Sequence, residues 1–142
     1  MNYRIYPIQK ILGGSMSEFK MIFYEKEDGT MPVQDFLDSL DFKMRAKMLG
    51  TIEMLRKNGN QLREPYSKSL DDGIMELRAI VGTNISRVLY FFVVGQKVIL
   101  TNGFIKKTQK TPKREIELAK KYRADYLERE QKKKQDGGNG DD

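Results

Sequence analysis

The chain contains neither histidine nor cysteine. Any proton transfer or charge stabilisation it performs therefore falls to Arg, Lys, Glu or Tyr. Three cationic groups are spaced to share one place: Arg78 and Arg87 in neighbouring apolar segments, and the pair Lys106-Lys107 just after a third. If those segments are adjacent strands, the cations converge on one face. The chemistry they suit is phosphoryl transfer on RNA without a metal. The ribose 2′-OH attacks the adjoining phosphate, so a protein need only take one proton, stabilise the dianionic phosphorane and return a proton to the leaving oxygen. Arginine suits the phosphorane because its planar fork donates in pairs and stays charged. A lysine serves as acid or base only where neighbouring cations or burial depress its pKa. Each group also has a structural reading. Arg78 can pair with Glu76 on its own strand, Arg87 can be a buried ion-pair residue ahead of a long apolar run, and the lysines can be plainly solvated.

The charge distribution sharpens this picture. Lys and Arg number 26 against 20 Asp and Glu, a net +6. Residues 1–105 carry 14 basic against 12 acidic side chains, whereas residues 106–134 carry 12 against 5. Lys106, Lys110, Lys113 and Arg114 thus head a basic segment of the kind that contacts phosphates. It falls where a strand gives way to a helix, whose N-terminus adds its own positive field. Lys132-Lys133-Lys134, further on, reads as a solvated face.

Absences narrow the field. No disulfide or thiolate site is possible, Ser-His-Asp chemistry and ordinary zinc sites are excluded, and no glycine loop has phosphate-cradling spacing. No cofactor or metal is expected. The first residues lack a signal-peptide core, and no run of about 18 apolar residues occurs. A cytoplasmic protein without a membrane partner is expected.

The elements that must position these groups follow from periodicity. Met21–Glu25 predicts a strand closed by Asp28-Gly29, and Pro32 opens a helix to about Leu40. Asp41 caps a second helix through Lys57, with Met44, Met48, Ile52 and Leu55 on its core face and Gly59 at its end. These two helices are read as an antiparallel hairpin. Three strands follow: Ile74–Ile80, with Glu76 and Arg78 opposite Met75, Leu77 and Ala79; Arg87–Val94, nearly all apolar; and Lys97–Phe104 after a two-residue Gly95-Gln96 turn. Thr111 and Pro112 then predict a cap and first turn of a helix bearing Ile116, Ala119, Tyr122 and Tyr126 on one stripe. The fold class is α+β, a small, mostly antiparallel sheet with an N-terminal two-helix hairpin and a C-terminal helix. Residues 1–20 are expected to be a flexible extension, 21–130 the domain, and 131–142 a charged, glycine-rich disordered tail. Met1, Met16 and Met21 are each possible starts.

Three blocks carry a family resemblance: Gly73-Ile74-Met75-Glu76-Leu77-Arg78, Ser86-Arg87-Val88-Leu89-Tyr90, and Leu100 through Pro112 with Lys106-Lys107 at its centre. Over about residues 21–130 the sequence resembles the RelE/ParE toxin superfamily, most closely its phage-derived HigB-type branch. The resemblance implies a RelE-like toxin of a type II toxin–antitoxin system, a ribosome-dependent mRNA endoribonuclease acting on mRNA in the ribosomal A site. Its catalytic residues would be Arg78, Arg87 and Lys107, with Lys106 beside them; the charge count adds Lys110, Lys113 and Arg114 as residues expected to hold RNA. It further implies a cognate antitoxin, often with a helix-turn-helix DNA-binding domain. Many relatives of this branch carry an aromatic residue where Met75 stands and a histidine where Asn102 stands. The superfamily also includes ParE-type members that inhibit DNA gyrase and cleave nothing, and a regulatory or inactive phage relative is a third reading.

Overall fold

The computed structural model describes residues 18–106 and 110–137. Their order is β1 (Lys20–Phe23), α1 (Pro32–Ser39), α2 (Phe42–Asn58), β2 (Ser67–Asp71), β3 (Ile74–Val81), β4 (Asn84–Val93), β5 (Lys97–Lys106) and α3 (Lys113–Gly137). The strands form one sheet in the order β1-β5-β4-β3-β2; β1 runs parallel to β5 and the other pairs are antiparallel.

Local chemistry explains the early elements. Pro32 occupies the first turn of α1, which buries Val33 and Leu37. The Asp41 carboxylate accepts the Met44 N–H at 2.8 Å and starts α2, whose Met44, Met48, Ile52 and Leu55 are all buried. Gly59 ends it at φ +53°. The expected hairpin is corrected: α1 lies chiefly over β5 and α2 over β3, so each packs on the sheet more than on its neighbour. Gly103 makes this possible for α1, because a Cβ there would stand 2.3 Å from Cδ2 of Phe36.

Four strands, not three, follow the helices. The additional one, β2, reads Ser-Lys-Ser-Leu-Asp and buries only Ser67. An edge strand held by backbone pairing needs little apolar alternation, so periodicity passes over it. Its turn into β3 is Asp72-Gly73, both at positive φ, as a two-residue hairpin of this kind requires. The β4–β5 connection is three residues, Val94 to Gln96, because Val93 pairs with Lys97.

The sheet is covered on both sides. Met21, Leu77, Val88, Tyr90 and Leu100 meet α1 and α2 on one face; Ile74, Leu89, Phe91 and Ile99 meet Ala119, Tyr122 and Tyr126 of α3 on the other. This accounts for the near-continuous burial of β4. Tyr24 stacks on Tyr122 at 4.6 Å and donates to Asp125 at 2.6 Å, fastening α3 across β1. Helix α3 runs to Gly137, past the boundary placed at 130, and Lys133 pairs with Glu130 along that stretch at 3.5 Å. At the other end, Glu18 and Phe19 join the fold within what was read as extension. Glu18 pairs at 2.7 Å with the fully buried Arg56, and the Phe19 ring lies against Gly59 and Phe92. The remaining tail residues 138–142 and residues 1–17, with Met1 and Met16, lie outside the described residues. No helix among the described residues is long and apolar enough to cross a membrane.

Candidate functional site

The antiparallel pairing of β3 and β4 sets Arg78 directly opposite Arg87, so both side chains project from the same face. Glu76 lies two residues before Arg78 and shares that face. On β5, Phe104 stands opposite Arg87 and Lys106 opposite Ile85. Basic residues of three adjacent strands therefore do converge, on the face that the start of α3 partly covers.

At the centre is one carboxylate. Glu76 is fully buried, and its Oε1 accepts from Arg78 Nε at 2.7 Å while its Oε2 accepts from Arg87 Nη1 at 3.2 Å. The Thr111 hydroxyl donates to the same Oε2 and accepts from Arg87 Nη1 at 3.1 Å. Water could not replace these partners for a buried carboxylate, so the set stands or falls together. Two guanidinium groups against one carboxylate leave the cluster with a net positive charge.

The two arginines differ in access. The Arg87 side chain has no accessible surface, whereas Arg78 keeps 12%. Arg87 is thus committed to Glu76 and Thr111, which is the ion-pair reading of this residue. Of the two, Arg78 is the one an incoming phosphate could reach.

The remaining cations ring the helix start. Lys110, Lys113 and Arg114 are exposed, and Lys106 is partly so. Lys107 lies outside the described residues, with Thr108 and Gln109. Lys106 and Arg114 line a cleft together with Asn84, Phe104, Pro112 and Glu115. Asn102 on β5, which stands where many relatives by the resemblance carry a histidine, is tied down: its amide donates to the Glu115 backbone oxygen at 3.3 Å and to the Glu115 carboxylate at 3.1 Å, and its oxygen accepts from Thr101. It anchors the first turn of α3. Among the described residues no group of acidic side chains is placed to hold a metal ion.

Two roles escaped the sequence reading. Thr111 was expected to cap α3, but the Pro112 carbonyl accepts the Glu115 and Ile116 N–H groups, and the Thr111 hydroxyl goes to Glu76 and Arg87. Glu76 is expected from the sequence only as a partner of Arg78 on the same strand, not as a fully buried group shared with Arg87 and Thr111. The signal for its burial was the unbroken apolar run of β4, since a strand covered on both faces implies that its neighbour is covered too.

A family model described as "Phage derived protein Gp49-like (DUF891)" matches residues 35–124, from α1 into α3 and across the whole arginine cluster. No curated protein matches the chain.

Proposed function

The chain belongs to the phage-derived Gp49-like family, which is associated with toxins of toxin–antitoxin pairs, and from that premise we propose that it is such a toxin and cuts mRNA at the ribosome without a metal. The observation that carries this reading is the partly exposed Arg78 side chain, joined through Glu76 to Thr111 at the start of α3, where Lys110, Lys113 and Arg114 are exposed. A phosphate seated there meets a fixed fork, flexible lysines and a helix N-terminus. The 2′-oxygen forms its bond to phosphorus as the bond to the 5′-oxygen breaks, leaving a cyclic phosphate and a free hydroxyl. Arg78 stabilises the phosphorane, and a lysine of the Lys106-Lys107 pair is assigned the proton transfers. Arg87 supports the site from beneath.

The natural inhibitor of such a face is an antitoxin that covers it with acidic segments, which is how the helix-turn-helix partner would act. The deciding experiment is primer extension on mRNA from cells expressing the full chain and its Arg78→Ala variant. Cleavage should appear with the first and fall by on the order of 10²–10³ in rate with the second, as for loss of one preorganised charge. Intact mRNA alongside accumulating gyrase-linked DNA breaks would replace this reading with a ParE-like one.

A further inference from the structure

We infer that Glu76 and Thr111 act together as a positioning pair, holding Arg78 in register with the cations at the start of α3; the inference rests on the reading of this face as an RNA site. An arginine side chain has several rotatable bonds, so an accessible guanidinium without a fixed partner samples many orientations. The bond from Arg78 Nε to Glu76 Oε1, at 2.7 Å, fixes the atom at which the guanidinium joins its stem. It thereby narrows the orientations open to both Nη groups.

The second carboxylate oxygen carries the constraint further. Glu76 Oε2 takes the Thr111 hydroxyl and Arg87 Nη1, and Thr111 in turn takes Arg87 Nη1 at 3.1 Å. These three groups close a triangle that joins β3, β4 and the residue between Lys110 and Pro112. Lys113 and Arg114 follow within three positions. A shift of the helix start would pull on Oε2 and turn the whole carboxylate, and Arg78 with it.

The Pro112 carbonyl accepts the first N–H bonds of α3, from Glu115 and Ile116, and the Thr111 hydroxyl one residue earlier is left to the carboxylate.

The test uses the full chain and three variants: Thr111→Val, which removes only the hydroxyl at constant shape, Thr111→Ser, which restores it, and Glu76→Gln. Two readouts are followed, cleavage of mRNA on programmed ribosomes and the NMR signal of the Arg78 Nε–H. Thr111→Val should stay folded and lose kcat by up to about 100-fold, the cost of a small misplacement, with KM little changed. Thr111→Ser should recover it. The Arg78 signal should shift in Thr111→Val and exchange with solvent in Glu76→Gln. A folded Thr111→Val with wild-type kcat and an unshifted Arg78 signal overturns the inference, as does a loss that merely follows the unfolded fraction on warming. If the wild type cuts no mRNA, the proposed function fails by itself, and the Arg78 signal alone decides for or against the positioning pair.

Discussion

Arg78 on β3 and Arg87 on β4 face each other across the ladder, yet the first reaches solvent and the second does not. The difference comes from the strand on either side. β2 begins at Ser67, opposite Leu77, so Arg78 sits where β3 becomes the sheet edge. Arg87 lies one strand further in, between β3 and β5 and beneath Thr111. Identical side chains in register therefore do different work: one can meet a ligand and one holds the frame.

This contrast predicts opposite consequences of truncation. Arg87→Ala takes the fully buried cation from Glu76 Oε2 and the Thr111 hydroxyl and leaves its own space empty, and should lower stability by about 3–5 kcal/mol. Arg78→Ala should cost clearly less, because Arg78 is the partly exposed partner and the Glu76 carboxylate keeps both Arg87 and Thr111. Urea unfolding followed by circular dichroism gives both values. Equal stability of Arg87→Ala and wild type would mean that the cluster does not hold the start of α3.

Chain length supplies a second prediction. A variant starting at Met21 lacks Glu18 and Phe19, and so loses the 2.7 Å partner of buried Arg56, the Phe19 N–H bond to the Arg56 carbonyl and the ring over Gly59. It should be less stable than a variant starting at Met16 by at least about 3 kcal/mol. Thermal melts of the two variants compare them directly. Matching melts would return residues 18–20 to the extension.

Gly103 should tolerate no Cβ while Phe36 keeps its place. Its added methyl group would fall 2.3 Å from the ring, so Gly103→Ala should cost about 1–3 kcal/mol through overpacking. Combining it with Phe36→Leu should recover part of that loss. A double-mutant cycle with no coupling would show that α1 shifts freely on β5.

Alkaline pH should weaken the fold in a defined window. Burial and the hydrogen bond to Asp125 push the Tyr24 phenol up to about 12, and burial pushes Tyr90 up to about 12 against the opposing bond to Ser67. Both phenols hold their protons longer folded than unfolded. Their contribution is therefore complete below the unfolded pKa of about 10 and is lost as pH rises through the folded value. Denaturation midpoints measured from pH 9 upward should fall beyond about 10, and Tyr90→Phe should flatten the decline.

The elements were legible wherever one face of a segment is apolar. Met44, Met48, Ile52 and Leu55 announced α2, and Asp41 and Gly59 its ends, because capping and periodicity are local properties of the chain. The basic character of residues 106–114 and the presence of Arg78 and Arg87 on neighbouring strands were equally legible, since charge and alternation need no partner to be read. β2 was not, because its pairing uses backbone groups that every residue shares. Nor could spacing say which arginine is buried, that Glu76 answers to both, or that Thr111 turns from its helix toward them. Those assignments depend on where α3 crosses the sheet and on where β2 begins. Both are set by packing between segments far apart in sequence, and burial decides whether a charge serves the frame or meets a ligand.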